Sequence, residues 1–192
     1  MKSRWYIMPK KKAGDTAEKT LRRKYVFEGR LIKVRVDTVV APDGHHAIRE
    51  IVEHPDAVVM VALNEEDNVL LVNQYRTPVG KNLLEIPAGV IEKGEDAEAT
   101  VIREMQEETG YKPQKLVFLT GFYSTPGFST EYLHLYLATD LVPSRLNAED
   151  TAGIELVCVP VSKITELIIS GRIQDAKTIA SLLLFLEYRK TR

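Results

Sequence analysis

A single cysteine rules out an internal disulfide, so the chain is not a disulfide-stapled scaffold, and a reducing compartment is expected. Cys158 sits in the strand-like stretch IELVCVPV and reads as a small buried hydrophobe, not a nucleophile. No segment approaches the ~18 consecutive apolar residues of a membrane span. The basic start MKSRWYIMPKKKAG also lacks an apolar run of signal-peptide length, so a cytoplasmic protein with no membrane partner is expected. Charge of one sign is missing too: 26 Lys and Arg against 27 Asp and Glu leave a net charge of -1, which removes the global argument for nucleic acid. Lys10, Lys11 and Lys12 have no aromatic platform beside them, so residues 1 to about 20 read as a solvated, partly mobile tail, with Trp5 and Tyr6 available to pack on a partner. No internal repeat is evident. What remains is 192 residues of ordinary composition, enough for one compact domain with a small appendage.

Along the chain, KYVFEGR and LIKVRVDTVVAP alternate apolar and polar residues about a Glu28-Gly29-Arg30 break, which predicts a hairpin. His45 and His46 lie in or beside the Pro42-Asp43-Gly44 turn, where turn surface is a better assignment than metal ligation. Residues 47–54 resume alternation, so residues 1–55 form a tail and a small antiparallel sheet, with residues 56–192 as the main domain. Within the latter, Ala57–Leu63 and Val69–Tyr75 are core strands, Leu83–Ile86 is a short strand, and Asp96–Thr109 is a helix. Strands follow over Leu116–Phe122, Glu131–Thr139 and Ile154–Val161, with helices over Ser162–Ser170 and about Asp175–Lys190. His134 reads as a satisfied sheet histidine, and residues 142–153 as a polar loop long enough to carry function. The succession implies an α/β fold with a mixed sheet between helical layers.

The chemistry concentrates in Gly89–Tyr111, GVIEKGEDAEATVIREMQEETGY. Glu104, Glu107 and Glu108 recur at i, i+3 and i+4, a spacing that puts three carboxylates on one side of a helix. Gly110 is a C-cap, which leaves Glu107 and Glu108 in the last turn, where the macrodipole disfavours anions. Two carboxylates about 5 to 6 Å apart repel by roughly 3 kcal/mol at an effective dielectric of about 20. Arg103 supplies one compensating charge and reaches Glu107 at i+4. The remaining oxygen-rich face suits Mg²⁺ or Mn²⁺. An isolated ExxEE pattern is ordinarily a solvated acidic surface.

The wider spacing of Gly89, Glu95 and Arg103–Tyr111, with apolar Met105 and Tyr111, resembles the whole Nudix box, and the chain is identified as resembling a Nudix hydrolase. That resemblance implies an α/β/α sandwich and a metal-dependent hydrolase of a nucleoside diphosphate linked to another moiety. It also implies that Glu104, Glu107 and Glu108, with the carbonyl of Ala88, hold the metal, that Arg103 orients the glutamates, and that Glu95 supports the loop. Upstream, QYRTPVGKNLLEIPAGVIEKGE is similar to the ADP-ribose pyrophosphatase branch, as are Pro126 and the DAKT run at Asp175–Thr178. The branch resemblance implies ADP-ribose as substrate and contacts from Arg49, Arg76, Glu92 and Pro126, surface ion pairing being the competing role for the arginines and Glu92. It also implies a homodimer whose N-terminal sheet reaches across to the partner. One departure concerns the general base: Ala152-Gly153 stand where the family often has an acidic pair, so Glu149 and Asp150 are the nearest candidates, with Glu155 weaker. Another pyrophosphatase substrate, such as a GDP-sugar or a dinucleoside polyphosphate, and a non-catalytic ADP-ribose sensor are the alternatives.

Overall fold

A computed structural model describes residues 16–148 and 153–191. The expectations for the basic tail through residue 15, including Trp5 and Tyr6, and for Glu149 and Asp150 lie outside the described residues. The chain divides into two compact units, one running to His54 and joined by Gly127–Thr130, the other comprising Pro55–Pro126 and the chain from Glu131 on.

In the first unit, β1 (Lys19–Glu28), β2 (Lys33–Val40) and β3 (His46–Glu53) form an antiparallel sheet in that order. The predicted hairpin closes where the Gly29 N–H donates to the Ile32 carbonyl at 2.9 Å. His45 lies on the turn surface, its ring nitrogen 2.5 Å from the Asp43 carboxylate. Residues 127–130 join this unit through backbone bonds, Val52 N–H to the Phe128 carbonyl at 2.8 Å and Thr130 N–H to the Val52 carbonyl at 3.0 Å. Local pattern gives no sign of this long-range pairing.

In the second unit, β4 (Ala57–Leu63), β5 (Asn68–Arg76), β6 (Lys81–Glu85), β7 (Ala88–Val90), β8 (Tyr111–Tyr123), β9 (Tyr132–Pro143) and β10 (Glu155–Pro160) make one mixed sheet. Its order is β10-β5-β4-β9-β8, with β6 on β5 and β7 on β4; β4 and β9 run parallel. The near-continuous apolar run of β4 reflects burial on both faces. Ala57, Val59 and Val61 point into a cluster with Ile164, Ile173, Leu182 and Phe185 of the C-terminal helical layer. Val58, Met60 and Ala62 point into a second cluster with Val101 and Met105. The helices on the two faces are therefore α1 (Ala97–Glu104) on one side and α2 (Ile164–Ile169) and α3 (Ala176–Lys190) on the other, the expected sandwich.

Two expectations about the strands change. Strands β8 and β9 run longer than their alternation suggested because they pair from Tyr111 with Pro143 to Tyr123 with Tyr132, with one register shift between Phe118 and Thr120, and ladder hydrogen bonds tolerate the polar ends. Cys158 is exposed rather than buried: β10 is an edge strand, and its inward positions are Val157 and Val159. His134 meets the expected role, 3.4 Å from Asp56 and edge-on to the Tyr132 ring. Among the described residues no helix is long and apolar enough to cross a membrane.

Candidate active site

The site is assembled where β7 meets the end of the helix that follows it. Asp96 caps α1 by accepting from the Ala99 N–H at 2.9 Å, and Val101 and Met105 anchor the helix to the sheet. The predicted helix does not stay α-helical to Thr109: after Glu104 it widens into a π turn over Met105–Thr109. The Thr109 hydroxyl donates to the Met105 carbonyl at 2.5 Å, and Gly110 ends the turn in the left-handed conformation at φ 77°. Such π turns are frequent at functional sites because they re-aim side chains. Here the turn carries Glu107 and Glu108, and it delivers Glu108 to β7, where its carboxylate accepts from the Ala88 N–H at 3.1 Å.

Glu104 approaches the same strand more closely still. A Cβ on Gly89 would fall 1.9 Å from the Glu104 Cδ and 2.0 Å from its Oε1, so only glycine allows this carboxylate to lie against the strand. Arg103 is the hub of the cluster. Its Nε and Nη2 donate to Glu95 at 3.0 Å each, its Nη1 to Glu104 at 2.6 Å and to Glu107 at 3.2 Å, and its Nη2 also to the Val90 carbonyl at 3.2 Å. The planar fork of arginine makes this multi-partner arrangement possible.

The electrostatics separate the carboxylates. The hydrogen bonds from Arg103 hold Glu95 down at about 2. Burial raises Glu104 above the ordinary glutamate range despite Arg103 beside it. Burial pushes Glu108 up to about 8, the Glu104 charge adding to the rise and the Ala88 N–H opposing it. Among the described residues no three His, Cys, Asp or Glu side chains converge as a ready coordination set, since Arg103 and the Ala88 N–H take up the oxygens of Glu104, Glu107 and Glu108. The donor chemistry nevertheless fits a hard divalent cation: all oxygen, two of the carboxylates desolvated, and each disfavouring the other's charge.

A second charged cluster lies beside this one, and its centre was missed in the sequence. Glu85, 1% exposed, ends β6 three residues before Ala88. Its carboxylate takes Arg76 Nε at 2.8 Å and Nη2 at 2.7 Å, and it also accepts from Lys177. Lys177 in turn reaches Asp175, the N-cap of α3, at 3.0 Å. Burial alone would raise Glu85, but the bonds from Arg76 and Lys177 prevail and hold it low. The signal available was a lone charged residue in the apolar run LLEIP, followed much later by DAKT.

The other predicted residues sit on other elements. Arg49 belongs to the first unit, where its guanidinium pairs with Glu18 and its Nη1 donates to the Ile48 carbonyl at 3.0 Å. Glu92 is exposed in the turn before α1, its carbonyl accepting from the Glu95 N–H at 3.0 Å. Pro126 is exposed in a turn, and Glu155 accepts from Asn73 at 3.2 Å on the edge strand. Glu149 and Asp150 lie outside the described residues.

Residues 18–52 match the family described as nucleoside diphosphate sugar hydrolase N-terminal domain. A methanol dehydrogenase activator from Bacillus methanolicus is 39% identical over 86% of this chain and 90% of its own length. An ADP-ribose pyrophosphatase from Bacillus subtilis (strain 168) is 39% identical over 84% of this chain and 88% of its own. In fold, a solved structure described as an ADP compounds hydrolase superposes with a TM-score of 0.83 at 23% identity, covering 91% of this chain and 95% of that one. Residues 53–182, which hold the seven-stranded sheet, α1 and its π turn with the glutamates, α2 and the start of α3, match the NUDIX domain, and the chain belongs to the Nudix family.

Proposed function

We propose that this Nudix pyrophosphatase splits ADP-ribose with water into AMP and ribose 5-phosphate. The observation that carries the reading is the seating of Glu104 and Glu108 against the Ala88–Gly89 strand, two desolvated carboxylates whose joint ionisation a divalent cation held between them would favour. Glu104, Glu107 and Glu108, with the Ala88 carbonyl, would hold Mg²⁺ or Mn²⁺. When bound, such an ion neutralises the diphosphate and acidifies the attacking water.

The protein's own groups do the positioning. Arg103 restrains Glu104 and Glu107 from one side, while Glu95 fixes Arg103 from the other. Arg76 offers its outward N–H groups to diphosphate oxygens, a geometry that suits a guanidinium. Arg49, Glu92 and the Pro126 turn contribute to substrate recognition, and Glu149 or Asp150 removes the proton from water. The similarity to a relative named for ADP-ribose hydrolysis supports the substrate over a GDP-sugar or dinucleoside polyphosphate. The full set of box carboxylates supports an enzyme over a sensor. Residues 1–55 act as the dimerisation unit and residues 56–192 as the catalytic domain. The unbroken exposure of β1, with Leu21, Tyr25, Val26 and Phe27 all solvent-facing, favours a second copy of this chain as the cover. We place the protein in the cytoplasm, acting on a small nucleotide and not on nucleic acid or membrane.

A panel of nucleoside diphosphate derivatives, incubated with Mg²⁺ or Mn²⁺ and resolved by chromatography, tests the function. AMP and ribose 5-phosphate from ADP-ribose are expected in preference to products from the other compounds. Faster turnover of a GDP-sugar would overturn the substrate assignment, and binding of ADP-ribose without product would favour the sensor. Light scattering reads the oligomer, with a mass of two chains expected.

A further inference from the structure

We propose that Lys177 is a positioning residue that acts through Glu85 to present Arg76 to the substrate's diphosphate. The inference rests on the reading of Arg76 as a diphosphate donor and names what holds it there. Arg76 engages Glu85 through one edge of its guanidinium, Nε at 2.8 Å and Nη2 at 2.7 Å, which leaves both Nη1 hydrogens and one Nη2 hydrogen for another partner. Because the fork is rigid, fixing the inner edge fixes the direction of the outer one. Exposure agrees: the Glu85 side chain is 1% exposed and that of Arg76 40%, so the free edge faces outward. Glu85 ends β6 three residues before Ala88, whose N–H donates to Glu108, so the chain itself ties this cluster to the box glutamates.

Lys177 completes the arrangement. It donates to the same Oε2 of Glu85 that accepts Arg76 Nη2, and it is held by Asp175 at 3.0 Å. Asp175 also accepts from the Thr178 N–H at 2.9 Å and hydroxyl at 2.6 Å, and that hydroxyl accepts from the Ile86 N–H at 3.0 Å. A closed circuit thus ties the first turn of α3 to the end of β6, one residue after Glu85. Its chemical consequence concerns charge. A buried carboxylate paired with one guanidinium cancels most of that guanidinium's attraction for a further anion. Lys177 shares Glu85 Oε2 with Arg76 and is itself balanced by Asp175, so the four groups are neutral together. What Lys177 does is fix the Glu85 carboxylate and draw part of its charge away from Arg76, which leaves the outer edge of the guanidinium better able to attract an anion. Lys177 touches no substrate atom in this scheme.

The test is steady-state kinetics of the full chain on ADP-ribose. For Lys177→Met we expect KM to rise on the order of tenfold with kcat within about twofold, the signature of lost ground-state binding. Lys177→Arg restores most of the affinity, and Glu85→Gln raises KM like Lys177→Met. In an Arg76→Ala background, Lys177→Met adds less than about a twofold further change, because its effect passes through the missing guanidinium. Unchanged KM in a folded Lys177→Met protein, a fall in kcat alone, or full additivity with Arg76→Ala overturns the proposal. If Lys177→Met does not fold, Lys177→Gln and Glu85→Gln carry the same comparison. If the wild type leaves ADP-ribose intact, the substrate reading fails separately and the comparison is made by calorimetric titration with ADP. There, unchanged affinity in Lys177→Met, or no binding by the wild type, overturns the positioning role.

Discussion

Gly89→Ala is the sharpest perturbation the site offers. The added methyl would stand 1.9 Å from the Glu104 Cδ, 2.0 Å from its Oε1 and 2.2 Å from its Cγ. Carbon atoms in contact prefer about 3.5 Å or more, so the Glu104 carboxylate must move by about 1.5 Å or the strand must yield. The side chain is the softer of the two, and its movement breaks the 2.6 Å bond from Arg103 Nη1. Displacing a group by about 1 Å in an active site costs on the order of a hundredfold in rate, so a loss of at least that size is expected in kcat. Stability should fall by only about 1 to 3 kcal/mol, the range for overpacking. Chromatographic assay of AMP release, run beside thermal unfolding, separates the two effects. Adding Glu104→Asp should not rescue activity, because the Cγ would still lie too close. A folded Gly89→Ala protein with kcat within about threefold of wild type would refute the claim that Glu104 must lie against this strand.

Three further outcomes are expected. Glu108→Gln replaces a buried carboxyl, raised to about 8 by burial, with a neutral amide that cannot ionise to hold a cation, so turnover should fall below detection while the metal-free protein unfolds at the same or a higher temperature; wild-type activity in this variant would end the metal assignment, and Asp150→Asn should cost less. The Glu95 carboxyl is depressed from 4.5 to about 2, so its stabilising effect is complete above about pH 4.5 and disappears as pH falls through about 2; the melting-temperature gap between wild type and Glu95→Gln should narrow across that window, and a constant gap would contradict it. Phe185→Ala empties a fully buried position beneath α3 and should cost about 3 to 5 kcal/mol in denaturant unfolding, with kcat per folded molecule unchanged below the transition.

The box was legible because its chemistry is local. Glu104, Glu107 and Glu108 lie within five residues, and Gly110 ends their helix, so spacing alone placed the carboxylates together and the terminal glycine with them. The strands were equally legible where side chains alternate or where a run is apolar throughout, as in β2 and β4, since period and burial are written in residue type. Strand ends and edges were not. The lengths of β8 and β9 depend on a partner far along the chain, and Cys158 faces outward because Val157 and Val159 on either side of it take the inward face of β10.

What the sequence by itself determined, then, is the set of acidic ligand candidates, the hub arginine, the capped helices and the two-faced core strand, each set by neighbours within a few residues. Tertiary structure alone decided the π turn that aims Glu108 at Ala88, the seating of Glu104 on Gly89, and the meeting of Arg76 and Glu85 with Lys177 ninety-two residues beyond Glu85. The physical reason is the same for all three. Whether a buried charge is compensated depends on which distant groups are packed beside it, and no local period records that.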